Sequence, residues 1–72
     1  MKLTAREEDT LHFIEQYKEA HGYPPTIREI AEGINTKSIY HVKTMLDDMQ
    51  DKGFIKYKPT LPRTIKIIKR SS

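Results

Sequence analysis

From Lys37 to Thr44 the chain reads Lys-Ser-Ile-Tyr-His-Val-Lys-Thr: every polar side chain in the run can donate a hydrogen bond and none is acidic. Lysine can donate to guanine O6 and N7, threonine can bond a base edge or touch a thymine methyl, and tyrosine can reach a base or a phosphate. A second set, Lys56, Lys58, Arg63 and Lys66, lies in a stretch without acids. Such cations can straddle a phosphate backbone or a minor groove, and Arg63, placed at a turn, is expected to reach farthest. The candidate contacts are therefore Lys37, Ser38, Tyr40, His41, Lys43, Thr44, Lys56, Lys58 and Arg63. Blander readings exist for both sets: a solvated helix face for the first, and strand-edge lysines that merely discourage edge pairing for the second.

Other chemistries find little support. His12, His21 and His41 are scattered, with no His-Glu-x-x-His and no clustered carboxylates, so no metal site is expected. The three glycines are isolated and each sits where a helix should stop, which leaves no phosphate-cradling loop and no implied cofactor. Ser38 is committed to a helix start and Lys43 lies more than a turn away, so no nucleophile and base are paired. The expectation is a protein that is not an enzyme and has no small-molecule substrate.

The elements that carry the two sets follow from local signals. Thr4 with Glu7 spells a capping box, and Leu11, Phe13, Ile14 and Tyr17 recur at helical spacing, predicting a helix over about residues 5–20 with Gly22 as its stop. Tyr23-Pro24-Pro25 turns the chain, because proline lacks a donor and pushes its predecessor toward extended geometry. Thr26 with Glu29 is a second capping box and opens a short helix over 27–34, ended by Gly33 and Asn35, with Asn35 as the left-handed pivot. Ser38 then caps a third helix over 39–52, whose stripe Ile39, Val42, Met45, Leu46 and Met49 faces inward until Gly53. With that stripe buried, Tyr40, Thr44 and Asp47 face outward, flanked by His41 and Lys43. Asp47, Asp48 and Asp51 occupy the second half of the helix, so the first half is the one that could approach DNA. Residues 54–58 and 63–68 alternate like strands about a Pro59-Thr60-Leu61-Pro62 turn, giving a hairpin over 54–68 and a tail over 69–72.

Size and charge fit this outline. Seventy-two residues make one domain with a minimal core, and the absence of cysteine removes disulfides and thiolate zinc sites. No apolar run exceeds two residues, which speaks against a membrane span or a signal peptide and for a soluble, cytoplasmic protein. Residues 1–51 hold six Lys and Arg against ten Asp and Glu, net −4, whereas 52–72 hold seven and none, net +7. A basic third on an acidic body suits one face that meets a polyanion. The fold class predicted is mainly α with a small β-hairpin: a three-helix winged helix-turn-helix.

Leu3-Thr4-Ala5-Arg6, Gly22-Tyr23-Pro24-Pro25-Thr26 with Arg28-Glu29-Ile30-Ala31, and Lys52-Gly53-Phe54-Ile55 resemble the N-terminal domain of the LexA repressor family, and Pro62-Arg63-Thr64-Ile65 matches its wing. The resemblance runs over about residues 2–68. It implies a bacterial transcriptional repressor of the SOS-response type that binds palindromic double-stranded operators as a homodimer, with the helix after Ser38 in the major groove. By position Ser38, Tyr40, His41, Lys43 and Thr44 match the family's base-reading residues, although the residue types differ and Asn35 replaces a usual glycine, so no operator carries over. The family continues through a self-cleavage hinge into a serine-lysine peptidase domain, whereas this sequence stops at Ser72; the expectation is a repressor of this type without the peptidase, either an excised domain or a small phage or mobile-element regulator. The alternative is a winged-helix protein-interaction module that modulates another regulator, its acidic body (Glu7, Glu8, Asp9, Glu15, Glu19) meeting a basic partner.

Overall fold

The computed structural model describes residues 2–69. Three helices, α1 (Ala5–His21), α2 (Ile27–Gly33) and α3 (Ile39–Asp51), precede two short strands, β1 (Ile55–Lys56) and β2 (Lys66–Ile67). The strands pair antiparallel in the register Ile55 with Ile67 and Lys56 with Lys66. This is the predicted winged helix-turn-helix; the part of the expected tail beyond Lys69 lies outside the described residues.

Side chains start the helices as the sequence implies. The Thr4 hydroxyl accepts from Glu7 N–H at 3.1 Å while the Glu7 carboxylate accepts from Thr4 N–H at 2.8 Å, and Thr26 and Glu29 repeat the exchange at 3.2 and 2.8 Å. Ser38 Oγ accepts from His41 N–H at 3.1 Å and opens α3. Such caps satisfy N–H groups that the first helical turn leaves without partners.

Left-handed residues end the helices. Asn35 (φ 62°) follows α2, its N–H bonded to Glu32 O and the next N–H, of Thr36, bonded to Ala31 O. Gly53 (φ 84°) closes α3 in the same way, through Gln50 O and Met49 O. Both are the paired-bond closure in which one left-handed residue lets two N–H groups reach back to free carbonyls. Gly33 is the last residue of α2, so the helix stops there as expected, but without a left-handed φ, and its missing side chain serves packing. A Cβ there would collide with the Phe13 ring of α1, so the missing side chain is what lets the two helices approach.

The core draws Leu11 and Ile14 from α1, Ile30 and Ala31 from α2, Val42, Met45, Leu46 and Met49 from α3, and Phe54, Ile55, Tyr57 and Ile65 from the hairpin. Phe13 and Ile39, expected inside, are only partly buried, and Tyr17 is half-buried. Two polar side chains of α1 join the interior. Thr10 is fully buried, its hydroxyl donating to Arg6 O at 2.9 Å beside Met45 Sδ. Glu7, besides its capping task, meets Lys52 Nζ at 2.6 Å and so ties the first turn of α1 to the end of α3. Burial alone would raise the Glu7 pKa, but the Lys52 ammonium and the Thr4 N–H outweigh it and hold the carboxyl below its ordinary value.

The hairpin ladder is shorter than the alternation suggests. Beyond β1 the Lys58 N–H donates to the Thr64 hydroxyl at 2.9 Å, and that hydroxyl lies 3.1 Å from the carbonyls of both Lys58 and Leu61. One side chain thus takes the place of ladder bonds across the tip, where Pro59 and Pro62 have no N–H to give.

Candidate nucleic-acid interface

α3 buries Val42, Met45, Leu46 and Met49 and turns the other side to solvent. Tyr40 is 80% exposed on its first turn, and His41, Lys43 and Thr44 are exposed beside it. Lys37 and Ser38, also exposed, sit at the entry to the helix. The structure therefore brings the first predicted set together on the N-terminal half of one helix, outside the core. Thr44 is already partly engaged, its hydroxyl donating to Tyr40 O at 3.0 Å, so toward an outside group it offers lone pairs and a methyl.

The wing is docked on this helix by a residue outside both predicted sets. Tyr57 is buried, and its hydroxyl donates to Asp47 Oδ1 at 2.5 Å while its backbone N–H donates to Gln50 Oε1 at 2.8 Å. Burial, and then the Asp47 carboxylate beside it, push the Tyr57 pKa well above the ordinary phenol value. Asp47 faces outward as expected, yet it serves to hold the hairpin against α3. The only hint in the sequence was that a buried tyrosine hydroxyl needs a partner.

On the outer face of the hairpin Lys56 and Lys66 stand directly opposite each other, both exposed, while Ile55 lies in the core and Ile67 packs partly against it. Like charges in directly opposed cross-strand positions repel. An anion laid across the pair would remove that cost. Lys58, exposed at the end of the same arm, adds a third cation.

Arg63 behaves differently from the expectation that it reaches outward. Its backbone is left-handed (φ 57°) and its side chain folds back onto α2, where Nη1 and Nη2 meet the two Glu29 carboxylate oxygens at 3.0 and 3.1 Å. Nη1 also donates to Pro24 O at 3.1 Å and lies 3.5 Å from the Tyr17 hydroxyl, and the guanidinium stacks 4.6 Å from the Tyr23 ring centroid. The reason is chemical: a planar fork matches a carboxylate in two places, and Glu29, fixed by its capping box, is preset to receive it. The Thr26 N–H, then the Arg63 guanidinium, lower the Glu29 pKa to about 2. Arg63 itself is held more firmly protonated than a free guanidinium, first by Glu29 and then by Tyr17.

Among the described residues no group of three or more His, Cys, Asp or Glu side chains could hold a metal ion, and no helix is long and apolar enough to cross a membrane. What the surface offers is a donor-rich helix start, a turn fixed by Asn35, and a basic hairpin bolted alongside. A short helix, a tight turn, an exposed helix and a wing define a winged helix-turn-helix module of the nucleic-acid-binding class.

The sequence matches the LexA DNA binding domain family over residues 1–64, and the chain belongs to that family. It is 38% identical over 66 residues to the LexA repressor of Carboxydothermus hydrogenoformans, covering 92% of this chain and 32% of that protein. The LexA repressors of Bacillus mycoides and Bacillus thuringiensis (strain Al Hakam) are each 40% identical over 67 residues, covering 93% of this chain and 33% and 32% of theirs. The chain thus spans about a third of the length of the curated relatives it matches, and the family match falls on the DNA-binding domain.

Proposed function

We propose that the chain is the sequence-reading part of a cytoplasmic transcriptional repressor and binds double-stranded DNA. The observation that carries this reading is the shared mounting of two unlike surfaces. The Tyr40, His41, Lys43 and Thr44 face of α3 and the wing bearing Lys56, Lys58 and Lys66 are joined through Tyr57 and Asp47 into one presenting unit. The first half of α3 lies in the major groove, with Tyr40, His41, Lys43 and Thr44 over base edges. Lys37 and the exposed end of the Ser38 cap approach the flanking phosphates, and Lys56, Lys58 and Lys66 follow the backbone beside the groove. Asp48 and Asp51, exposed on the second half of α3, keep that end away from the duplex.

A domain this small offers few contacts, so tight binding takes two copies on an inverted repeat, each reading one half-site. The test is selection from a pool of random duplexes at two salt concentrations, followed by sequencing of the retained DNA. The expected product is an enriched inverted repeat. Salt-sensitive retention without enrichment would reduce the site to a generic basic surface, and no retention would overturn the reading in favour of a protein partner.

A further inference from the structure

We infer that Arg63 and Glu29 are positioning residues for DNA contact: their ion pair pins the wing tip to α2, so that Lys56, Lys58 and Lys66 meet the duplex in a fixed arrangement with α3, and Arg63 itself contacts no phosphate. The inference rests on the DNA-binding reading and deepens it.

Three observations lead here. First, the Arg63 guanidinium is already engaged on several sides, by both Glu29 oxygens, by Pro24 O and by the Tyr23 ring. Turning the whole fork to a phosphate would mean giving up both Glu29 oxygens, the Pro24 carbonyl and the Tyr23 ring together. Second, Arg63 holds a left-handed backbone that a residue with a Cβ adopts unfavourably, as happens where surrounding contacts dictate the conformation. Third, the hairpin cannot hold itself, because its ladder has two residue pairs and isolated two-stranded hairpins are marginal in water. Besides the core packing of Phe54, Ile55, Tyr57 and Ile65, side-chain tethers hold it, just beyond the ladder by Tyr57 to Asp47 and Gln50 of α3 and at its tip by Arg63 to Glu29 of α2. The tethers end on the two helices of the helix-turn-helix itself. Wing and recognition helix are thereby ordered together before DNA arrives, which removes an ordering cost from binding.

Removing either partner gives a sharp test, because the two carry opposite charge. Arg63→Gln deletes a cation and Glu29→Gln deletes an anion, and Gln at 29 can keep the capping box because its amide oxygen still accepts from Thr26 N–H. Binding is measured by fluorescence anisotropy on labelled random-sequence duplex and on the duplex enriched by selection, across a salt series, with melting followed by circular dichroism.

If the pair positions the wing, both variants weaken binding alike, and the log–log salt slope of each becomes shallower by up to about 2.7, the loss of Lys56, Lys58 and Lys66 at about 0.9 apiece. Arg63→Lys, which keeps the charge without the fork, should fall with Arg63→Gln. Melting alone cannot mimic this pattern, since a merely structural loss leaves the salt slope of the folded fraction unchanged. If instead Glu29→Gln binds as tightly as the parent or tighter, and Arg63→Lys rescues Arg63→Gln, Arg63 is itself a phosphate ligand and the inference is overturned. A parent that binds no duplex at all would refute the DNA reading, a result distinguishable from either.

Discussion

Gly33→Ala should destabilise this protein, against the usual direction of that substitution. Within a helix, alanine is favoured over glycine by about 0.5–1 kcal/mol, and Gly33 has no left-handed φ to forbid the exchange. The new Cβ, however, occupies the space of the Phe13 ring. That ring is partly buried against the core, so expelling it forfeits about half of the roughly 1.5–3 kcal/mol that full burial of such a side chain provides. Holding it in place imposes overpacking of about 1–3 kcal/mol. The cheaper route sets the cost, so about 1.1 kcal/mol lost against about 0.75 kcal/mol gained leaves a net loss of about 0.4 kcal/mol, or about 2–3 °C in melting temperature for a domain of this size. With Phe13→Ala already present the obstacle is gone, and Gly33→Ala should then stabilise by about 0.5–1 kcal/mol. Urea unfolding of parent, both single variants and the double variant, followed by circular dichroism, measures the coupling directly. A coupling within about 0.5 kcal/mol of zero, or a stabilising Gly33→Ala while Phe13 is intact, would refute the assignment of Gly33 to close helix packing.

Tyr57→Phe removes the hydroxyl that docks the wing and should cost about 1.5 kcal/mol, the lower end for a bond to a charged acceptor, because exposed Asp47 can rehydrate; chemical denaturation measures it. Glu7 and Glu29 both have folded pKa values below the unfolded value of 4.5, so their stabilisation is fully present above that pH and is lost as the pH falls through the folded values, about 2 for Glu29. Melting temperature should accordingly drop between about pH 5 and 2, and Glu29→Gln should flatten that limb. Lys43→Ala should cost about 1–3 kcal/mol on the selected duplex and little on scrambled DNA, whereas Lys58→Ala should weaken both and make the salt slope shallower by about 0.9, readable in the same anisotropy titrations.

Legibility divided along sequence separation. Thr4 with Glu7, Thr26 with Glu29 and Ser38 with His41 act across three residues, and each was readable because a cap is a local event. Asn35 was readable too, since few residues with side chains tolerate its backbone angle. The exposed start of α3 followed from the period of its buried stripe. What escaped joins distant segments: Lys52 to Glu7, Arg63 to Glu29 and Tyr57 to Asp47. In each a side chain with an evident local task, whether solubility, capping or core filling, has a second task that only the fold reveals. The strands are shorter than the alternation for a related reason. The alternation of Ile55, Tyr57, Ile65 and Ile67 reports which side chains turn inward, but it is silent on whether a Thr64 hydroxyl or a backbone group closes the tip.

That closure by Thr64 bears on how proteins built this way can change what they touch. Its bonds and the Arg63 ion pair fix both flanks of the four residues from Pro59 to Pro62, and none of those four is buried. A longer tip would forgo the Leu61 bonds to Lys58 and Thr64 but leave the core untouched, and for a flexible loop doubling the number of residues adds only about 0.6 kcal/mol of closure entropy. Reach along a duplex can be extended or shortened there while the core, the turn at Asn35 and the face of α3 stay as they are. The hairpin tip is the adjustable end of an otherwise rigid tool, and the place to graft new contacts.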